Sequence, residues 1–156
     1  MLYLIDGHNL IPKIPGINLK MVDDENELVK LLQIFARIKR ARVEVYFDGA
    51  LSGYSGSRPM GMVMAHYVRK GIPADKEIIY RLQKIKKSPQ GTILVTSDRQ
   101  IRIEAQSVKI KAMLSEDFAE MLINTLREDV VQDGSDNLKL PGNDLDEWLK
   151  LFGEKP

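Results

Sequence analysis

LYLIDGHN, residues 2–9, runs four apolar or aromatic side chains straight into a carboxylate, then turns at once on Gly7 and Asn9. Leu2 to Ile5 are too few for a helix and dense enough for a strand buried on both faces. A buried strand ending on Asp6 poses a choice. One terminal Asp serves as a cap for a helix or turn. Several on one edge of a sheet make a site.

Two further strands end the same way. VEVYF (43–47) stops at Asp48, and TILVT (92–96) stops, after Ser97, at Asp98. Helical spacings lie between them: Leu28, Leu31, Leu32, Phe35 and Ile38 within 25–39, then Ile78, Ile79, Leu82 and Ile85 within 74–87, with Pro73 ahead of the start. LSGYSGSRPMG (51–61) reads as a Gly/Ser loop and MVMAHYV (62–68) as a strand, its Met residues and His66 serving packing. A short helix over 99–106, a small strand at VKIK (108–111) and a helix from Ser115 to about Arg127 follow, the last with Glu116 and Asp117 in its first turn. The polar residues 132–143 read as a linker, and Asp144 to Phe152 as an amphipathic helix whose Trp148 and Phe152 dock on the domain. The expected organisation is one domain over 1–131 and a tail, 132–156, packed on it.

Strands alternating with helices predict an α/β fold of three layers, α/β/α, with a mostly parallel central sheet. Such sheets bind ligands at the carboxyl ends of their strands. Asp6, Asp48 and Asp98 therefore share one edge, and Asp75, at the start of the helix after Pro73, belongs to the same edge. Clustered carboxylates repel, and the chain offers no matching set of buried cations. A hard divalent cation, Mg²⁺ or Mn²⁺, resolves that conflict and supports phosphodiester hydrolysis.

Composition sets the bounds. The chain has 156 residues, 44% hydrophobic and 29% charged, with a net charge of +1. It has no cysteine, which rules out disulfides and Cys-based metal sites or nucleophiles and suits a reducing, cytoplasmic setting. The start lacks a basic segment ahead of an apolar one, so no secretory signal is expected, and no apolar run suits a membrane helix. Ahead of residue 133 the chain carries 20 basic against 16 acidic side chains, a balance that permits a polyanion partner. The Gly/Ser loop lacks the Gly-Lys-Ser/Thr ending of a nucleotide-binding loop, which excludes an NTPase of that type.

The stretches LIDGHNLI, VEVYFDG, GIPADKEI and LVTSDRQI, in this order, together with SEDFAEML and the terminal DEWLKLFG, resemble the NYN (YacP-like) branch of the PIN-like nuclease superfamily. The resemblance covers residues 2 to about 153. It implies a PIN-like fold and a metal-dependent ribonuclease, with Asp6, Asp75 and Asp98 as catalytic carboxylates and, with Asp48, as ligands of Mg²⁺ or Mn²⁺. Asn9 matches the polar residue beside the first Asp. His8, Arg58, Lys76 and Arg99 join it as expected RNA contacts, and the implied partner is RNA, free or within the ribosome or another ribonucleoprotein. One departure stands out. Ala74-Asp75-Lys76 replaces the usual Ala-Asp-Asp, and Ile79 falls where a further acid is common. The alternative is therefore an RNA-binding module with weak or no turnover.

Overall fold

The computed structural model describes residues 1–17 and 23–133. Its centre is a six-stranded sheet: β1 (Leu2–Asp6), β2 (Arg42–Ala50), β3 (Gly56–Met60), β4 (Val63–Arg69), β5 (Thr92–Val95) and β6 (Lys111–Met113), in the order β3-β4-β2-β1-β5-β6. All neighbours run parallel except β3, which pairs antiparallel with β4. The helices are α1 (Gly7–Leu10), α2 (Asp24–Lys39), α3 (Ala74–Ile85), α4 (Arg99–Ser107) and α5 (Ser115–Asp133).

Strand alternation splits the interior into two cores. Tyr3, Ile5, Val43, Val45 and Phe47 point to one face and pack with Leu28, Leu32 and Phe35 of α2 and with Phe118 and Leu122 of α5. Leu4, Tyr46 and Leu94 point to the other and pack with Ile78 and Leu82 of α3 and with Ile101 and Ala105 of α4. The expected three layers are present. Phe35, Phe47 and Phe118 are fully buried. Burying a side chain of that size contributes about 2–3 kcal/mol each.

The structure departs from the sequence reading in five places. Residues 56–60 form an edge strand rather than loop, because an exposed outer strand needs no apolar alternation and tolerates Pro59. Met62 in the following turn is exposed rather than packed, while Met60 packs against the first core. The strand placed at 108–111 begins at Lys111, since Val108 to Ile110 bond back to the end of α4. The chain after Asp6 coils directly into α1 rather than making a simple turn. α5 continues to Asp133, past the expected end near Arg127. Most of the expected linker and the whole terminal helix, with Trp148 and Phe152, lie outside the described residues.

Candidate active site at the carboxyl edge

Asp6 is the last residue of β1 and alternates with buried Ile5, so it shares the face of Leu4, the face that α3 and α4 cover. Asp75 sits in the first turn of α3, and Asp98 is the N-cap of α4. Asp48 lies near the end of β2, within the irregularity between Phe47 and Ala50. All four therefore stand at the carboxyl edge. Gly7 makes the tight entry to α1 possible. A Cβ there would lie 2.9 Å from the Tyr46 carbonyl oxygen and closer still to the Phe47 ring.

Asp6 titrates unusually high, at about 6. Burial is the main cause. The Thr96 hydroxyl and the Asn9 backbone hydrogen bond oppose it, Asp48 adds a smaller like-charge push, and His8 a small pull the other way. Repulsion among the neighbouring carboxylates contributes less than desolvation, because Asp6 closes a buried strand. The Thr96 hydroxyl donates to Asp6 Oδ2 at 3.3 Å and accepts the Asp98 N–H at 3.1 Å, so one side chain touches both sites. Asp75 Oδ1 is buried with no hydrogen-bond partner among the described residues. Asp98 is the plain cap of the group: its Oδ1 accepts from Gln100 N at 2.8 Å and Ile101 N at 3.2 Å.

His8 is held between two carboxylates. Its Nδ1 is 2.6 Å from Asp48 Oδ1 and its Nε2 2.6 Å from Glu25 Oε2, at the start of α2. The Glu25 hydrogen bond leads the rise of His8 to about 9; burial opposes it and Asp48 adds to it. The ring is an imidazolium at neutral pH, an internal cation that the apolar patterning did not reveal. Asn9 acts as a clasp. Its Oδ1 accepts the Ser97 N–H at 2.8 Å and the Ser115 hydroxyl at 2.6 Å, tying α1 to the loop before α4 and to the start of α5. Ser97 Oγ donates to Glu116 at 2.7 Å, and Lys13 stands 3.5 Å from the same carboxylate.

The cationic candidates are less concentrated. Lys76 and Arg99 are exposed in the first turns of α3 and α4, beside Asp75 and Asp98. Arg58 lies on edge strand β3, its guanidinium 4.8 Å from the Tyr67 ring centroid and bonded to the Tyr54 carbonyl at 3.2 Å. The structure thus gathers Asp6, His8, Asn9 and Asp48 with Thr96, Ser97 and Asp98, and sets Arg58 to one side.

The profile of the YacP-like NYN domain matches residues 3–149. The chain belongs to the YacP-like NYN domain family. No curated protein sequence matches it significantly. Among solved structures it is similar to Rae1 (YacP) from Bacillus subtilis, with a TM-score of 0.66 and 21% identity over 98% of this chain and 92% of that one. The W164L mutant of the same protein gives a TM-score of 0.60 and 18% identity over 96% and 90%. Those likenesses establish a shared YacP fold.

Does this NYN domain suit a divalent cation? Among the described residues no three acidic or imidazole groups stand close enough to hold an ion together as arranged. Mg²⁺ does not require that. It keeps several waters and commonly takes one or two carboxylates plus substrate phosphate. A buried Asp75 oxygen without a partner among the described residues and a carboxylate at Asp6 that burial disfavours as an ion are donors of the kind such an ion takes. The carboxylates suit such an ion in kind, and Asp6 and Asp75 both belong to elements that end or begin at this edge.

Glu25, Thr96 and Ser115 are the members sequence reasoning passed over as site residues. The acidic run Asp23-Asp24-Glu25 was the available signal for the first. A Thr and a Ser at element ends carry none beyond turn chemistry.

Proposed function

We propose that this NYN domain hydrolyses RNA phosphodiester bonds with the help of Mg²⁺ or Mn²⁺ held by Asp6, Asp75 and Asp98, with Asp48 supporting from the second strand. The observation that carries this reading is Asp6: a carboxylate buried at a strand end whose hydrogen bonds from the Thr96 hydroxyl and the Asn9 backbone do not offset its burial, and which makes no direct ion pair among the described residues. When bound, such an ion supplies Lewis acidity toward phosphoryl oxygens and lowers the pKa of water. The chain's own residues do the rest. Thr96 holds Asp6 in its rotamer, Asn9 fixes the loop that carries Asp98, and His8 anchors Asp48. Lys76 and Arg99 flank the acids and offer charge to RNA phosphates. RNA, free or in a ribonucleoprotein, is the partner, and the cytoplasm is the setting that a cysteine-free chain suits.

The test is cleavage of a labelled single-stranded RNA with Mn²⁺, with EDTA, and with Asp6→Asn. Cleavage that needs the metal and falls at least about 100-fold in the variant supports the reading. Cleavage that survives both EDTA and Asp6→Asn sinks it.

One observation favours a second reading. His8 already gives Asp48 and Glu25 a cation, and Lys76 stands where a further acid is usual, so the edge carries less free negative charge than four Asp residues suggest. An RNA-binding module with weak turnover matches that balance. It predicts RNA affinity unaffected by Mn²⁺ and no cleavage.

A further inference from the structure

A cleft of about 340 Å³ opens beyond β2, where the start of β3, the end of β4 and the start of α3 meet. Its walls include Tyr46, His66, Ser55, Ser57, Arg69 and Glu77. That volume is at the lower end of the range for ligand clefts, about 300–1,000 Å³.

Register ties the cleft to the acidic edge. Asp6 pairs with Tyr46, Tyr46 with His66, and His66 with Ser57, so one row crosses four strands from the carboxylate to the cleft. With strands about 4.8 Å apart, His66 lies about 10 Å from Asp6 across the sheet. Glu77 follows Asp75 by two residues in the first turn of α3. On the RNA reading, a strand whose scissile phosphate is brought to the acidic edge by a bound ion would present its neighbouring nucleotide toward the cleft.

The lining suits a base rather than a phosphate. His66 stacks on Tyr46, with centroids 4.5 Å apart and planes 18° apart, and keeps a quarter of its side chain exposed. Ser57 Oγ is 2.7 Å from His66 Nδ1, which fixes the ring. Among the described residues Glu77 has no ion-pair partner, whereas the deeper Glu44 is neutralised by Arg81. A lone carboxylate repels phosphate and accepts N–H groups. Guanine presents two adjacent N–H donors on one edge, the match for the two oxygens of one carboxylate.

We propose that this cleft is a base-binding subsite that takes the nucleotide next to the scissile phosphodiester and prefers guanine, with Glu77 accepting its N–H edge, the His66–Tyr46 stack bearing its ring and Arg69 meeting the flanking phosphate. The proposal rests on the RNA reading above. It concerns specificity, so its test needs no turnover.

Fluorescence anisotropy in EDTA, with labelled pentaribonucleotides UUXUU in which X is each of the four bases, measures it. The expected result is about tenfold tighter binding of X = G by the wild type, the low end for a bidentate base contact. Glu77→Gln should reduce that preference to about twofold or less. Ser55→Trp, at an exposed position in the cleft wall, should fill the cleft and abolish the preference, so that all four pentanucleotides bind with one affinity. Equal affinity for all four bases in the wild type overturns the subsite, as does a wild-type preference retained by both variants. Failure to bind any of the RNAs at low salt overturns the RNA reading itself, a separate and recognisable outcome.

Discussion

Glu44 and Asp6 lie on neighbouring strands and the same face of the sheet, two residues apart in depth, and the fold treats them in opposite ways. Glu44 pairs in register with Leu4, and Asp6 with Tyr46. Burial acts on both. At Glu44 the Arg81 fork donates at 2.9 and 2.8 Å and the Tyr46 hydroxyl at 3.0 Å, while His66 Nε2 stands 3.7 Å away. Burial alone would raise Glu44; those neighbours overwhelm it and hold the carboxyl at about 2. At Asp6 burial outweighs the Thr96 hydroxyl, the Asn9 backbone hydrogen bond and a small pull from His8, and the group stays at about 6. A charge that serves the fold is neutralised by the fold. On the proposed function, the charge at the strand end that its neighbours only partly offset is the one a metal ion completes.

The largest expected effect breaks the comparison directly. Glu44→Gln strips Arg81 of its partner inside the wall of α3 and β2. Losing one member of a largely buried pair costs about 3 kcal/mol, discounted for the partial exposure of Arg81. Thermal unfolding should drop by about 6–12 °C. Asp6→Asn, the matching change at the edge, should leave the metal-free protein as stable as before or more so. If melting curves place the two variants together, the distinction between structural and functional carboxylate is lost.

Acid titration sharpens the same contrast, with opposite signs. The folded pKa of Glu44 is depressed, from 4.5 to about 2, so its contribution is present above 4.5 and lost as pH falls through 2. Asp6 is raised, from 3.8 to about 6. The folded chain therefore binds its proton more tightly, and stability falls as pH rises across that window. Each is worth about 2 kcal/mol after discounting for coupling and solvent. Denaturant midpoints against pH should lose the slope between about 2 and 4.5 in Glu44→Gln, and part of the decline between about 4 and 6 in Asp6→Asn. A wild-type profile flat over both intervals contradicts both assignments.

How much of this was legible beforehand follows from range. Strand and helix periodicities are local, so the alternation of β1, α2, β2, α3 and β5 could be read residue by residue, and with it the edge that carries Asp6, Asp48, Asp75 and Asp98. Glu44 could not be read. It sits in VEVYF as an ordinary alternation, and its partner Arg81 is 37 residues away on another element. His8 was legible as a site residue, but its clamp between Asp48 and Glu25 was not, because Glu25 arrives from the start of α2. Asn9 was assigned toward the site by resemblance. Its bonds to Ser97 and Ser115, 88 and 106 positions on, make it the fastener of the edge. Asn9→Ala should cost about 1–2 kcal/mol by leaving the Ser97 N–H and the Ser115 hydroxyl without an acceptor. It should lower any cleavage through misplacement of Asp98, and Asn9→Asp should recover most of the loss. Equal stability for all three proteins contradicts the clasp.

Lys76 has the smallest expected effect and tests whether the edge is a nuclease site diminished by one acid. Lys76 is exposed and adjoins Asp75 in the first turn of α3; consecutive helix positions point about 100° apart, so the two side chains do not face the same way. Lys76→Asp therefore adds negative charge near a cation without adding a well-aimed ligand. Mn²⁺ affinity should rise by no more than about fivefold, the range of one exposed charge pair. RNA affinity should fall, with the salt slope reduced by about one phosphate contact. Calorimetry with Mn²⁺ alone and anisotropy with RNA in EDTA read the two separately. A rise in Mn²⁺ affinity of a hundredfold or more would mean that Lys76 occupies the place of a missing ligand, and the edge would then be closer to the weak-turnover module than to an active hydrolase. No change in either measurement would place Lys76 in solvent, away from both metal and RNA, and leave the charge balance of the edge to His8.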